Sequence, residues 1–275
     1  TLTLSAGGQT AQLKWAVNSG AASGAYSFTS SDAKVATVDE NGLITSVNPG
    51  TATITVKTYN GKAATCKVTV YGEPAQVSFN EKTMRLGEGQ TGNLSVTVKD
   101  AEGKETIANL TYAVDDPTVL EVNASTGAVK GLKSGRAVVT VKTHNGVSTY
   151  PEGGEKVVAT CVVNVVAAPA DIELNTTTIN IGYKETYKGL KATLIPPEGE
   201  EECAGTLKWA SGNSNYVKVN ADGWIYGAKA GKAAYVYVQS HNGITKRCAV
   251  YVKKAPTKFA IAPTALTLSA GGQTA

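Results

Sequence analysis

Histidine is almost missing from this 275-residue sequence, which holds only His144 and His241. Activating a Ser or Cys nucleophile needs a base within reach, and a typical zinc-type site needs several nitrogen or sulfur ligands together. Both histidines stand one residue before an Asn-Gly pair in separate repeats, where the first repeat has Tyr59, so neither is expected to serve catalysis or a metal. Cysteine is scarce too: four thiols are few for a secreted disulfide scaffold. One Met and three Phe leave the cores to Val, Ile, Leu and Ala. No apolar run approaches the roughly 18 residues of a membrane span, so no membrane insertion of this segment is expected. No stretch carries the apolar stripe of a helix. Charge of one sign is concentrated nowhere: the net +4 is spread over interleaved Lys, Arg, Asp and Glu, which bears on solubility and argues against a nucleic-acid partner.

What is abundant is glycine, 29 residues, together with Thr and Val in alternation, as in Thr51-Ala52-Thr53-Ile54-Thr55-Val56. The glycines fall into a repeat. Asp39-Glu40-Asn41-Gly42-Leu43-Ile44, Ala124-Ser125-Thr126-Gly127-Ala128-Val129 and Asn220-Ala221-Asp222-Gly223-Trp224-Ile225 each lead to a second glycine, Gly50, Gly135 or Gly231. Each then runs through a β-rich stretch to Asn60-Gly61, Asn145-Gly146 or Asn242-Gly243, and on to Cys66, Cys161 or Cys248. A unit of roughly 90 residues is large enough for one small sandwich core. Function in such a row tends to belong to the row.

Pro74, Pro169 and Pro256 mark the joints, each preceding an apolar strand, Val77-Ser78-Phe79, Ile172-Glu173-Leu174 or Phe259-Ala260-Ile261. The expected division is 1–72, a module lacking its first strand; 73–168, a second module; 169–254, an aromatic-rich third; and 255–275, the opening strands of a further one. Short joints without Gly/Ser runs predict stiff connections and a rod, each module adding on the order of 35 to 40 Å. Leu2–Ala11 and Leu266–Ala275 both read LTLSAGGQTA, so the array is expected to continue beyond both ends.

Within each module a second short strand carries Leu4, Leu86, Ile181 or Leu268, and the next carries Leu13, Leu94 or Leu190. A core aromatic comes after it at Phe28, Tyr112 or Trp209, while Trp15 falls one strand earlier despite its similar surroundings. Period two puts Cys66, Cys161 and Cys248 on the core face with the valines two and four residues on. They read as buried thiols, with a bridge from the unmatched Cys203 to Cys248 left open. The last two strands form a hairpin whose Asn-Gly turn calls for positive φ at both positions. Short strands with turns at this spacing predict an all-β chain of two-sheet sandwiches.

Ser31 to Thr45, SDAKVATVDENGLIT, ending in Asn48-Pro49-Gly50-Thr51-Ala52-Thr53-Ile54, resembles the signature of the bacterial immunoglobulin-like domain family, group 2. The second repeat keeps Asp116-Pro117-Thr118-Val119-Leu120, Thr126-Gly127 and Ser134-Gly135-Arg136-Ala137; the third diverges most, with Trp224 and tyrosines in place of small aliphatics. The resemblance covers nearly the whole chain. It implies tandem immunoglobulin-like β-sandwiches on an extracellular bacterial protein, as in adhesins of the invasin and intimin kind, surface-layer and wall-bound proteins and some phage structural proteins. It brings no catalytic motif, so the expected role is a non-catalytic spacer, partnered by neighbouring modules of the same long protein.

No cofactor or metal is expected. Glu198, Glu200, Glu201 and Glu202, and the pair Asp115-Asp116, read as solvated loops without the ligand spacing of a calcium site. The candidate ligand-binding residues are aromatic: Trp224, Tyr226, Tyr235 and Tyr237. Counting forward from Gly231 puts Tyr235 and Tyr237 in the core, and counting back from Asn242 puts Val236 and Val238 there; the second count is preferred, because β-branched residues hold those places in the other modules. The tyrosines then face out, where they could neighbour Trp224 and Tyr226. Such rings either bind glycan or a cell-surface protein, or pack within the protein. Finally, residues 257–275 either donate a strand to the head of another copy, a head-to-tail self-association, or form a tail without fixed structure.

Overall fold

The computed structural model describes residues 1–20 and 24–258. The tail from residue 259 on, where most of the opening strands of a further module are expected, lies outside the described residues. Among the described residues every helix or strand element is a strand. The chain divides into two compact units: Thr1–Pro169 with Pro196–Gly205, and Ala170–Ile195 with Thr206 onward.

The first unit begins with β1 (Leu2–Ser5), β2 (Thr10–Gln12), β3 (Tyr26–Ser30), β4 (Ala36–Val38), β5 (Leu43–Ser46), β6 (Gly50–Thr58) and β7 (Ala63–Tyr71). They form two sheets, ordered β1-β7-β6-β3 and β2-β5-β4. Their apolar faces enclose Leu4, Ala36, Ile44, Ile54, Val68 and Val70. The alternating sequence of β6 is what makes this possible, since Ala52, Ile54 and Val56 are buried while the intervening threonines are not.

The same unit continues with β8 (Gln76–Phe79), β9 (Thr83–Gly87), β10 (Thr91–Asn93), β11 (Val96–Lys99), β12 (Leu110–Val114), β13 (Leu120–Val122), β14 (Ala128–Gly131), β15 (Gly135–Thr143), β16 (Thr149–Glu152), β17 (Glu155–Val158) and β18 (Thr160–Val166). One layer is ordered β12-β15-β18-β9; the other is β10-β14-β13, with β11 paired to β8. Leu120 and Val129 of one layer pack with Val139, Val141, Cys161 and Val163 of the other. β16 and β17 form an extra hairpin turned on Gly153 and Gly154, both at positive φ. Sequence reading had only one hairpin here. The insertion is braced by an ion pair from Lys82 to Glu152, with the Lys82 ammonium also 5.9 Å from the centre of the Tyr150 ring.

The second unit holds β19 (Asp171–Leu174), β20 (Thr178–Gly182), β21 (Thr186–Tyr187), β22 (Ala192–Ile195), β23 (Leu207–Ser211), β24 (Val217–Val219), β25 (Ile225–Gly227), β26 (Ala233–Ser240) and β27 (Thr245–Lys253). Its layers are β20-β27-β26-β23 and β21-β25-β24, with β19 paired to β22. Ile179, Ile181, Val217, Ile225, Val236, Cys248 and Val250 fill the space between. Three cores thus repeat one immunoglobulin-like arrangement, each with an early strand parallel to the last: β1 on β7, β9 on β18 and β20 on β27.

Two expectations about these repeats need correction. At the Asn-Gly turns only the glycines have positive φ, +85° at Gly61, +89° at Gly146 and +93° at Gly243; the asparagines do not. The reason is a longer turn. Gly61 N donates to Thr58 O, Thr58 N donates to Lys62 O, and the Thr58 hydroxyl accepts from Lys62 N while donating to Asn60 Oδ1. Thr143 and Ser240 supply the same hydroxyl in the other copies. This is a three-residue loop closed by a glycine bulge, so one left-handed residue suffices. The second correction concerns the cysteines: all four are free, with Cys161 and Cys248 buried and Cys66 and Cys203 half-buried. Burial raises the pKa of the Cys161, Cys203 and Cys248 thiols.

The shared glycine of each repeat has two duties. Gly42, Gly127 and Gly223 have φ of +73°, +69° and +79°, a region that costs other residues about 1–2 kcal/mol. A methyl group at Gly127 would also stand 2.7 Å from the Tyr112 ring, and at Gly223 it would stand 2.8 Å from Trp209. Gly89 isolates the first effect, because it has φ +77° but nothing within 4 Å of an added methyl. Gly127→Ala is therefore predicted to destabilise the second sandwich by about 1–3 kcal/mol more than Gly89→Ala, the added cost of overpacking. Urea unfolding followed at Tyr112 measures the difference, and equal losses would show that the ring yields freely.

Candidate functional site

The four aromatic candidates lie on two different sheets. Ile225 points into the core of the second unit, so Trp224 and Tyr226 on either side of it face outward from the β21-β25-β24 layer. The backbone closes this corner locally: Asn220 Oδ1 accepts from Trp224 N at 2.9 Å, and Asn220 N donates to Trp224 O at 3.1 Å. Trp224 remains 41% exposed. With Thr186, Lys218, Val219 and Asn220 it and Tyr226 line a shallow depression of about 210 Å³.

Tyr235 and Tyr237 flank buried Val236 on β26, in the other layer, and Val238 is buried as well. The count back from Asn242 therefore describes the strand. The two rings are neighbours, centroids 6.2 Å apart, and Tyr235 is 43% exposed. Because outer faces of a two-layer sandwich point away from each other, the expected closeness of these tyrosines to Trp224 and Tyr226 does not occur. Sheet membership separates them, and it is set by long-range pairing, Tyr226 with Lys218 and Thr186 but Tyr237 with Ala210 and Arg247.

Each face is already in contact with a cation. Lys188 Nζ lies 4.0 Å from the centre of the Trp224 ring, and the Arg247 guanidinium carbon lies 4.4 Å from that of Tyr235. Exposed contacts of this kind are worth roughly 0.5–1 kcal/mol each. A ligand stacking on that side of either ring would first have to displace the cation.

The acidic residues have local partners. Asp115 Oδ1 accepts from Val138 N, and Asp116 Oδ1 accepts from the amide and hydroxyl of Thr118, which holds the Asp116 carboxyl below its usual pKa. Glu202 pairs with Arg85 at 2.6 Å. Among the described residues, no group of three or more His, Cys, Asp or Glu is placed to hold a metal ion.

The densest polar constellation in the first unit lies where its two sandwiches meet, and sequence reasoning missed it. Gly72–Ala75 link β7 to β8. Thr106 Oγ1 donates to Gly72 O at 2.6 Å, and Asn145 Nδ2 donates to Pro74 O at 2.8 Å and Glu73 Oε1 at 3.1 Å. His144, whose place before Asn-Gly carried no meaning in the sequence, sets Nε2 3.2 Å from Ala6 O. Buried Gln9 completes the ring of contacts, its Nε2 donating to Asn109 Oδ1 at 2.7 Å while its Oε1 accepts from Ser5 N. A methyl at Gly72 would meet Asp100 at 2.5 Å, so the chain passes closely there. The Asn-Gly turn of one sandwich thus holds the preceding one. Only the repeated Asn-Gly signal pointed toward this loop.

Residues 2–68 match the family described as bacterial Ig-like domain (group 2). The chain is 34% identical over 121 residues to an uncharacterized protein of Clostridium acetobutylicum, covering 43% of this chain and 12% of that protein. It is 37% identical over 73 residues to an Ig-like virion protein of Serratia phage KSP90, covering 26% of this chain and 28% of that one. Among solved structures, domains 4 and 5 of the S-layer protein SbsC align with a TM-score of 0.27 and 26% identity, over 52% of this chain and 71% of that one. The chain spans well under a third of the length of these two curated relatives.

If the joint contacts hold the first two sandwiches in one orientation, Thr106→Ala with Asn145→Ala should free them without unfolding either. Each lost hydrogen bond costs about 0.5–1.5 kcal/mol. Residual dipolar couplings from β6 and β7 amides and from β15 and β18 amides should fit a single alignment tensor in the native chain and two in the variant. Two tensors in the native chain would contradict this.

Proposed function

Residues 2–68 being a group 2 bacterial Ig-like domain, we propose that this repeat protein of immunoglobulin-like modules is a non-catalytic spacer in a bacterial cell-surface or secreted fibre of the adhesin type. In this reading the modules are residues 1–72, 73–168 and 169–254, with a further one opening at 255–275, and the partners of each are its neighbours in the same long protein. The observation that carries the reading is the hydrogen-bonded joint. A spacer must hold direction from one module to the next, and the Gly72–Ala75 link is fixed by side chains from both sandwiches. The loop sequences add no Gly/Ser-rich run at that point.

A second reading rests on the exposed Trp224 beside Tyr226, an aromatic patch that suits glycan or a cell-surface protein. One experiment separates the two. The purified chain is applied to a glycan array and to whole cells, beside a Trp224→Ala, Tyr226→Ala variant whose folding is checked by circular dichroism. The spacer predicts no saturable binding by either protein. Saturable binding that the variant loses at least tenfold would make the second unit a recognition module.

A further inference from the structure

The first sandwich has an unfilled edge that its two sequels fill. In the second, β8 pairs antiparallel with β11, Val77 opposite Val98 and Phe79 opposite Val96. In the second unit, β19 pairs with β22 in the same register, Ile172 opposite Leu194 and Leu174 opposite Ala192. Aligning Leu13 with Leu94 and Leu190 makes Trp15–Asn18 the counterpart of β11 and β22. No strand among the described residues pairs with Trp15–Asn18.

The side chains register the vacancy. Trp15 is 37% and Val17 39% exposed, while Val98, the counterpart of Val17, is 7% exposed. Cys66 is half-buried where Cys161 and Cys248 are wholly enclosed. Trp15, Val17, Tyr26, Val56, Tyr59 and Ala64 border an apolar groove of about 320 Å³ along this edge.

We propose that the groove is filled by Phe259-Ala260-Ile261 of a second copy of this chain, added antiparallel to Trp15–Asn18. The sequence around these residues repeats that of the two seated strands without a gap. Pro74 precedes Val77, Phe79 and Leu86 at the same spacing as Pro169 precedes Ile172, Leu174 and Ile181, and Pro256 precedes Phe259, Ile261 and Leu268. Val77, Phe79 and Ile172 are buried in their own sandwiches. The register of β8 and β19 then sets Phe259 opposite Val17 and Ile261 opposite Trp15, so that two large apolar side chains enter the groove.

The residues beyond Ile261 select this module as the acceptor. Leu266–Ala275 repeats Leu2–Ala11, so Phe259–Ile261 stands in sequence before a copy of the first module's own opening. Strand addition supplies main-chain hydrogen bonds along the edge, and the two pockets supply specificity. The contact joins the tail of one molecule to the head of the next. Such a heterologous contact propagates into open chains unless its rotation closes a ring.

The full chain should show, in sedimentation velocity, monomer giving way to multiples of its mass as concentration rises. In the same samples Cys66 should react several-fold more slowly with a thiol reagent, read peptide by peptide by mass spectrometry. Both effects should vanish in Phe259→Asp, Ile261→Asp, whose changes lie outside all three cores. A chain that stays monomeric with Cys66 reactive at every concentration would overturn the proposal. Monomers with Cys66 protected at every concentration would assign the groove to the molecule's own tail instead, and assembly undiminished by the two aspartates would place the contact on another surface.

Discussion

An aromatic ring resting on a bare glycine ties the two layers of each sandwich together. The ring comes from the strand at the edge of the four-stranded layer, as Phe28 on β3, Tyr112 on β12 or Trp209 on β23. The glycine closes the turn between the two strands of the opposite layer, β4 and β5, β13 and β14, or β24 and β25. Hydrogen bonds fix the order of strands within a layer, but this contact sets how close the layers come, because a Cβ at the glycine would occupy the ring's own space. The ring changes size from copy to copy. Phe28 is supplemented by Trp15, edge-on at 5.0 Å, and both lie over Gly42, while Trp209 covers Gly223 by itself.

That coupling explains what could be read in the amino-acid order. The glycines, the aromatic that precedes them and the Cys-Val-Val alternation are local periodicities tied to a shared core, and they recur in every copy. β16 and β17 were missed because Gly153-Gly154 reads as one more turn, while the extra strands pair only with each other. The φ of Asn60 was misjudged because a two-residue turn and a bulged three-residue turn share the Asn-Gly signal; the Thr58 hydroxyl that selects between them carries no mark of its own in the sequence. Trp224 and Tyr226 could be seen to share a strand face, but their separation from Tyr235 depends on which distant strands β25 and β26 join. The joint was hidden for the same reason, since Gln9 meets Asn109 only after two sandwiches have formed.

One loop therefore works at two levels. Thr143, Asn145 and Gly146 close the β15 turn as their counterparts do in the other repeats, and Asn145 spends its remaining amide hydrogens on Glu73 and Pro74. A residue needed for local folding is difficult to lose, so placing the joint on it protects module orientation along with module stability. The third copy shows the opposite tendency on its outer faces, where Lys188 over Trp224 and Arg247 over Tyr235 bring cations onto exposed rings.

The parallel pairing of an early strand with the last one also decides how a sandwich would answer to tension. When β9 is drawn from its first residue and β18 from its last, the pull runs along both strands in opposite senses, across hydrogen bonds that join Thr83 through Gly87 to Val162 through Val166. Those bonds share the load and must shear together, whereas a hairpin pulled from its open end parts one pair at a time. A row of such units has its greatest resistance along the line of the chain, set by five residues of pairing in the second and third sandwiches and by four in the first.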